Sequence, residues 1–336
     1  MMMNLNADAM RWAMDRVRPT AKLDAQTLVE QTLRQHGLMP DGRFGSPAGT
    51  KTYPSAPATS RKRYTCAAGS REYVLHMPEG PANGVLMMLH GCTQTPDDFA
   101  TGTDIVKTAT QTGMIVVLPA QSRGDNAQSC WNWFSGTDQK RERGEPAILA
   151  SLAGEIATKN NVPKGRTFVA GLSAGGAMAV ILGQTYGDVF TAVGVHSGLP
   201  YGCARGVNEA FAAMGGNGSR PSQTKTATVI PTIVFHGTAD HTVAPANGSR
   251  IINDVLDSAS GQQTQIVNNG TEGGKAFNQT ITLSDNGTPL TEHWEISGLG
   301  HAWSGGNPNG SYTDANGPDA SAEMLRFFKA ISQNEV

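Results

Sequence analysis

A serine flanked by two glycines carries the clearest chemical signal in this chain. The segment Gly171-Leu172-Ser173-Ala174-Gly175 follows an apolar run of β type at 166–170 and precedes small residues typical of a helix. A serine in a sharp turn between a strand and a helix exposes its hydroxyl, and the helix N-terminus faces the place where negative charge develops. The pattern therefore predicts that Ser173 is a nucleophile, with an ordinary structural turn as the alternative.

A nucleophilic serine needs a general base and an acid that orients the base. Asp240 lies in the short loop after the apolar run 230–236, and His301 lies in a glycine-rich loop after the β-type run 293–296. Hydrolases built on a central parallel sheet use this order of serine, acid and histidine along the chain. We therefore expect Ser173 to attack, His301 to act as base and then as acid, and Asp240 to hold the imidazole in the required tautomer.

Other histidines and acids have weaker claims to these roles. His90 and His236 also end apolar runs, but a buried, hydrogen-bonded structural histidine is the simpler interpretation of each. His196 ends a further apolar run and is expected to be buried and hydrogen-bonded. His241 precedes the last predicted strand, which breaks the usual order. Asp188 follows the predicted nucleophile helix and is expected to cap it or to be solvated.

The same chemistry needs two N–H groups that stabilise an oxyanion. One is expected from Ala174, the residue that follows the nucleophile. The other is expected from the loop after the apolar strand 85–90, which ends in His-Gly, and the Cys92 N–H is the candidate there. An ordinary turn between a strand and a helix is the alternative interpretation of this loop.

Six short motifs make the chain resemble a known family. They are His-Gly-Cys-Thr-Gln at 90–94, Cys-Trp-Asn-Trp-Phe at 130–134, Gly-Leu-Ser-Ala-Gly-Gly-Ala-Met at 171–178, Ser-Gly-Leu-Pro-Tyr-Gly-Cys at 197–203, His-Gly-Thr-Ala-Asp at 236–240 and Gly-His-Ala-Trp-Ser-Gly-Gly at 300–306. Together they resemble the polyhydroxybutyrate depolymerase family of esterases, with feruloyl and acetylxylan esterases as relatives, over about residues 60–335.

The resemblance implies an α/β-hydrolase that cleaves ester bonds through an acyl-serine intermediate, without a metal or an organic cofactor. Carried over by motif, it makes Ser173, Asp240 and His301 the catalytic triad and Cys92 a residue of the oxyanion hole. Secreted members of the family usually begin with a signal peptide, and many carry a separate polymer-binding domain. Neither is recognised in this sequence, which therefore looks more like the intracellular branch.

Three of the four cysteines lie inside these motifs, and their spacing is not that of a zinc site. In an oxidising compartment the first disulfide expected is Cys92–Cys130. It would tie the loop after strand 85–90, here called the oxyanion loop, to the loop that carries the motif at 130–134, here called the Trp-Asn-Trp loop. Cys66–Cys203 would be the second. In a reducing cytosol all four would be free, buried thiols.

Alternating β-type and helical segments surround these motifs. They predict an α/β-hydrolase fold, in which a mostly parallel central sheet carries helices on both faces. Residues 259–289, rich in Gln, Asn, Gly and Thr, predict a β-hairpin before the last strand. The catalytic domain is expected at 61–336, after a short helical N-terminal extension at 1–37 and a Pro- and Gly-rich linker at 38–60.

Four side chains near the motifs are predicted to bind substrate: Trp131, Asn132, Trp133 and Trp303. Aromatic walls suit apolar or alkyl ester chains, and a side-chain amide is able to donate to an ester carbonyl. Core packing beneath a long loop is the alternative for the tryptophans, and a role in a turn is the alternative for Asn132.

Composition and charge exclude several classes of function. A net charge of −2 gives no electrostatic basis for binding nucleic acid, and no apolar stretch is long enough for a transmembrane segment. The N-terminus lacks a basic start followed by an uninterrupted apolar run, so a cytoplasmic protein is expected, with a storage-granule surface as a candidate partner. Secretion is the alternative if the sequence is trimmed, and the oligomeric state is left open.

The residues and the resemblance together predict a serine esterase that hydrolyses poly(3-hydroxybutyrate) or short 3-hydroxyalkanoate oligomers. A feruloyl or acetylxylan-type carbohydrate esterase is the first alternative, because the same triad serves all of these substrates. An inactive protein that binds granules or a partner is an alternative of another class. The intact set of Ser173, Asp240 and His301 argues against inactivity.

Overall fold

The computed structural model describes residues 60–219 and 229–333, which belong to one compact unit spanning Lys51–Val336. The predicted helical extension at 1–37 and nearly all of the predicted linker at 38–60 lie outside the described residues. In the two described ranges, no helix combines the length and the apolar character needed to cross a membrane.

Ten strands form one large sheet. In chain order they are β1 (Ser60–Cys66), β2 (Gly69–His76), β3 (Gly84–Leu89), β4 (Met114–Ala120), β5 (Thr167–Leu172), β6 (Ala192–His196), β7 (Thr232–Gly237), β8 (Thr264–Glu272), β9 (Lys275–Leu283) and β10 (Pro289–Ile296). Their order across the sheet is β1-β2-β4-β3-β5-β6-β7-β10-β9-β8. The six central strands are parallel, whereas the two strands at each end pair antiparallel. A second sheet is made of two short strands, β11 (Trp303–Ser304) and β12 (Thr313–Asp314).

Helices cover both faces of the large sheet. They are α1 (Pro96–Thr103), α2 (Ile105–Gln111), α3 (Gly144–Lys159), α4 (Ala174–Thr185), α5 (Val207–Ala212), α6 (Ala246–Ser258) and α7 (Ala320–Gln333). Apolar residues of α3, α4 and α6 belong to one core cluster, and those of α1, α2 and α7 belong to a second. The predicted fold class, a mostly parallel sheet with helices on both faces, is confirmed.

Strand β3 shows why the central strands read as unbroken apolar runs. Val85, Met87 and Leu89 belong to the first core cluster, whereas Leu86 and Met88 belong to the second. Successive side chains of a strand point to opposite faces, so a strand covered by helices on both sides needs apolar residues at every position. Because the central strands are parallel, the loops that follow β3, β5, β7 and β10 meet at one edge of the sheet.

The predicted hairpin is present as β8 and β9, which pair antiparallel in register. Gly273 and Gly274 join the two strands, with φ angles of 52° and 83°. Two consecutive positive φ angles are typical of the tight turn that matches the twist of a hairpin, and glycine adopts them without strain. This hairpin forms one end of the sheet.

Candidate active site

Ser173 occupies the tight turn between β5 and α4, at φ 56° and ψ −119°. A positive φ is strained for a residue other than glycine. The flanking glycines are needed for space: a Cβ on Gly171 would collide with the Gly175 backbone, and one on Gly175 would collide with the Leu89 carbonyl. The Ser173 side chain is half-buried and makes no capping hydrogen bond to α4, which leaves the hydroxyl available for chemistry.

His301 and Asp240 are hydrogen-bonded to each other. His301 Nδ1 lies 2.8 Å from Asp240 Oδ2. An ionised carboxylate only accepts hydrogen bonds, so Nδ1 carries the proton and Nε2 of the neutral ring keeps its lone pair. A general base needs this tautomer. The two loops are joined directly, since the Ala239 N–H donates to the Leu299 carbonyl at 3.0 Å.

Three hydrogen-bond donors and one further histidine surround the buried carboxylate of Asp240. Oδ1 accepts from the N–H groups of Thr242 at 3.0 Å and Val243 at 2.8 Å. Oδ2 lies 3.5 Å from His236 Nε2, in addition to its bond with His301. Burial by itself would raise the pKa of Asp240, but the hydrogen bonds from the two histidines and the Val243 N–H outweigh it and hold the pKa well below its ordinary range. Asp240 is therefore ionised at neutral pH.

His196 links the turn that bears Ser173 to the loop after β10 that bears His301, here called the histidine loop. Its carbonyl accepts from the Ser173 N–H at 2.9 Å, and its Nε2 accepts from the N–H of Ser304 at 3.1 Å, three residues after His301. Burial lowers the pKa of His196 to about 3, so the ring is neutral and able to accept. His236 is likewise buried, and its Nε2 lies 2.9 Å from a backbone carbonyl of the acid loop. Both rings have the structural role that the sequence analysis expected.

In the loop after β3, three of the four N–H groups from Gly91 to Gln94 have a partner among the described residues. The donor–acceptor pairs are Gly91–Gln94 at 2.9 Å, Thr93–Gln128 at 2.7 Å and Gln94–Gly91 at 3.3 Å. The Cys92 N–H is the one left over. The Ala174 N–H opens α4, where the first N–H groups have no acceptor in their own helix. Both predicted donors are therefore free to bind an oxyanion.

Cys92 and Cys130 form a disulfide, with Cα atoms 4.2 Å apart. It ties the oxyanion loop to the Trp-Asn-Trp loop. The second predicted disulfide is wrong, because Cys66 and Cys203 are free thiols. Cys66 ends the edge strand β1, whereas Cys203 follows β6, five strands along the sheet. Burial raises the pKa of Cys203 to about 12, so its thiol is an inert part of the core.

The three tryptophans predicted to line a substrate pocket are core residues instead. Trp131 and Trp303 are 0% and 1% exposed, and Trp133 is 6% exposed. The indole N–H of Trp131 donates to the His90 carbonyl at 3.0 Å, and that of Trp303 donates to the Ser321 hydroxyl at 3.1 Å. The predicted contact with substrate is therefore wrong for these side chains, and core packing, the stated alternative, is correct.

Asn132 is also engaged inside the protein. Its backbone N–H and side-chain amide donate to the two oxygens of Glu145, at 2.8 and 2.9 Å, and its Oδ1 accepts from Asn126 at 2.9 Å. The predicted bond to an ester carbonyl is thus wrong, because these atoms are already used. Glu145 is buried beside Gln121 and Arg71. Burial raises its pKa to about 7, although the Arg71 charge opposes that shift. This cluster, absent from the sequence analysis, anchors the Trp-Asn-Trp loop.

Thr93 and Tyr312 form another contact that the sequence analysis missed. Thr93 follows Cys92 and has a strained φ of 67°, and its Oγ1 lies 3.2 Å from the Tyr312 hydroxyl. Trp303 lies two residues after His301, and its backbone N–H donates to the Tyr312 carbonyl at 2.7 Å. The pair therefore connects the oxyanion loop with the histidine loop. No local motif reveals it, because the partners are 219 residues apart in the chain.

These groups are of the kinds that acyl transfer requires: a serine on a strained turn, a histidine oriented by an acid, and two N–H donors. Within the described ranges, no group of three or more histidine, cysteine, aspartate or glutamate side chains is arranged to hold a metal ion. The site is built from four loops at one edge of the sheet, and hydrogen bonds between those loops hold it together.

Comparison with known proteins gives one matching family and several relatives. A family described as esterase PHB depolymerase matches residues 71–264. Poly(3-hydroxyalkanoate) depolymerase C of Paucimonas lemoignei is 34% identical over 271 residues, which cover 74% of this chain and 61% of the relative. Poly(3-hydroxybutyrate) depolymerase of Ralstonia pickettii is 28% identical over 266 residues, which cover 69% of this chain and 50% of the relative. The chain thus spans between half and two thirds of the length of these two relatives.

Carbohydrate esterases also match. Feruloyl esterase B of Thermothelomyces thermophilus is 27% identical over 162 residues, which cover 44% of this chain and 55% of that protein. Among solved structures, an acetyl xylan esterase from Aspergillus awamori superposes with a TM-score of 0.59 at 18% identity, over 81% of this chain and 99% of that chain. At this identity the superposition supports the shared fold alone.

Proposed function

This chain belongs to the esterase PHB depolymerase family, and from that premise we propose that it is a serine esterase acting on poly(3-hydroxybutyrate) or short 3-hydroxyalkanoate oligomers. The observation that carries the proposal is the hydrogen bond between His301 and Asp240, together with the bonds of His196 that link the His301 loop to the turn that bears Ser173. The names of the two depolymerase relatives support the polyester substrate.

In the proposed reaction, each group of the site has one role. Ser173 Oγ attacks the ester carbonyl carbon while its proton moves to His301 Nε2, and the carbonyl oxygen becomes an oxyanion bound by the N–H groups of Cys92 and Ala174. When the C–O bond breaks, His301 returns the proton to the leaving hydroxyl group. A water molecule, deprotonated by the same histidine, then releases the acyl group as a hydroxyacid. Asp240 stays ionised and stabilises the imidazolium that forms twice in the cycle.

The first alternative is a feruloyl or acetylxylan-type esterase, which the carbohydrate-esterase relatives favour. The triad serves either substrate equally, so the pocket decides between them. Trp131, Trp133 and Trp303 are buried in the core, so they do not form the aromatic wall of a substrate pocket that was predicted from the sequence. An inactive binding protein is less consistent with the site, since strain at Ser173 and an ionised Asp240 that is hydrogen-bonded to His301 serve catalysis rather than adsorption.

The compartment and the granule surface belong to the same proposal. The N-terminal sequence predicts a cytoplasmic protein, but the Cys92–Cys130 disulfide favours an oxidising compartment, because cytosolic thiols are kept reduced. We therefore propose that the protein works under oxidising conditions on polyester or its soluble oligomers. Association with a storage-granule surface stays a prediction.

A substrate panel tests the function. Wild type, Ser173→Ala and a matched control, Ser258→Ala, are offered polyhydroxybutyrate granules, 3-hydroxybutyrate oligomers, methyl ferulate and acetylated xylan. Among the described residues, the hydroxyl of Ser258 bonds only within its own helix, to the Asp254 carbonyl, so its loss should leave activity unchanged. We expect release of 3-hydroxybutyrate by wild type and control, and a loss of at least about 10⁴-fold in Ser173→Ala.

Two outcomes contradict the proposal in different ways. Activity confined to ferulate or xylan would keep the triad and overturn the substrate class. Hydrolysis that survives in Ser173→Ala would overturn the assignment of the nucleophile itself.

A further inference from the structure

Strand β8 is an exposed edge of the ten-stranded sheet. It pairs with β9 on one side, and no described residue pairs with its other side. Its side chains are exposed along almost the whole strand. Ile266 and Val267 are 44% and 56% exposed, and they account for two of the three large hydrophobic residues that are exposed within the described ranges. Because they are adjacent in a strand, they point to opposite faces of the sheet.

The backbone of this edge offers both donors and acceptors. Every second residue of β8 directs its N–H and C=O groups away from β9. Native proteins usually protect such an edge with charged residues, proline or a bulge. The opposite edge, β1, contains Arg61, Lys62 and Arg63, whereas the nine residues of β8 include a single charged residue, Glu272, and pair with β9 without a bulge.

We infer that β8 pairs antiparallel with β8 of a second copy of this chain and joins the two sheets into one. The occupant follows from hydrogen-bonding chemistry. A polyester has carbonyl acceptors and no N–H donors, so it leaves the carbonyl groups of the edge unpaired, whereas a polypeptide strand satisfies both kinds of group. Among polypeptide strands, a second copy of β8 is suitable because β8 is nearly neutral, so two copies side by side do not strongly repel each other.

Full overlap of the two strands defines the register. With a twofold axis at Asn268, Glu272 of each copy faces Thr264 of the other, so no like charges are opposed. Ile266 faces Gly270 of the second copy in this register. The ring of Phe277 lies over Gly270, where a Cβ would contact it at 2.6 Å. Ile266 of the second copy therefore gains an apolar neighbour, which is consistent with its exposure in the single chain.

The expected dimer is weak, because one pair of nine-residue strands gives an interface below the standard size of about 1,600 Å². Sedimentation velocity of the full chain across a hundredfold range of concentration tests it. We expect the mass to rise from 35.3 kDa toward twice that value as concentration increases. Val267→Lys should raise the dissociation constant at least tenfold, because it puts two ammonium groups beside the twofold axis.

A matched control and a cross-link distinguish this interface from others. Thr65→Lys adds the same charge to the exposed edge β1 and should leave the dimer unchanged. In the proposed register the two Asn268 Cα atoms lie about 4.5–5.5 Å apart, within the range of a disulfide. Asn268→Cys should therefore form an intermolecular disulfide under oxidation, whereas Asn286→Cys, in an exposed turn, should not.

Three results would each overturn the proposal. They are a monomer at every concentration, a dimer equally affected by Val267→Lys and Thr65→Lys, and equal cross-linking of Asn268→Cys and Asn286→Cys.

Discussion

Removal of the Cys92–Cys130 disulfide should destabilise the protein and weaken the proposed oxyanion hole. Its partners are 38 residues apart in the chain. The chain-entropy relation for a loop of this length gives about 4 kcal/mol at 25 °C. We therefore expect the double variant Cys92→Ala/Cys130→Ala to lose about 4 kcal/mol of the free energy of unfolding, a large part of the roughly 5–15 kcal/mol typical of a folded domain.

The expected effect on catalysis is smaller than the loss of a donor. The alanine variant keeps the backbone N–H at position 92, and the bond from Thr93 N–H to the Gln128 carbonyl still holds the loop. Deleting one oxyanion donor from a hydrolase costs about 10²–10³-fold in kcat, so a loop that is merely loosened should cost less than about 10²-fold. KM should change little, because the loop acts on the transition state.

Guanidinium-induced unfolding and steady-state kinetics measure the two effects separately. Cys66→Ala is the matched control, because it removes a free thiol and leaves the disulfide in place. A reducing agent should bring wild type to the level of the double variant and should not affect the double variant itself. A double variant within 1 kcal/mol of wild type, or one whose kcat falls as far as that of Ser173→Ala, would refute this reasoning.

Three other substitutions test contacts around the site. Asp240→Asn should lower kcat by about 10⁴-fold while the fold persists, because an amide does not keep His301 in the required tautomer; unchanged kcat would contradict the triad. Thr93→Val and Tyr312→Phe should show a coupling energy of about 1 kcal/mol in a double-mutant cycle on kcat/KM, and additive effects would mean that their contact is unimportant. Because burial raises the pKa of Glu145 from its ordinary 4.5 to about 7, the folded state retains a proton that the unfolded chain releases between these values. Stability should therefore fall with rising pH across this window by roughly 3 kcal/mol, and Glu145→Gln should flatten the dependence measured by urea unfolding at several pH values.

The fold was predictable because its signals are local in the chain. The apolar runs of β3 and β5 need no alternation, since both faces of these strands are buried, and they therefore stand out in the sequence. Residues 259–289 were recognised as a hairpin from their composition, and β8 and β9 lie there. The free edge of β8 was not foreseen, because the order of strands across a sheet does not follow their order in the chain.

The candidate triad could be identified from the sequence: Ser173, Asp240 and His301 each follow a strand, in the order expected of a serine hydrolase, and a parallel sheet brings the ends of its strands together. Which polar and aromatic side chains face the site depends on three-dimensional packing. Trp131 has the same residue type whether it lines a pocket or fills a core, and its burial depends on how the long loop folds back on the sheet. The Thr93–Tyr312 contact likewise cannot be predicted from the sequence, because a hydrogen bond between two distant loops leaves no periodic pattern in the chain.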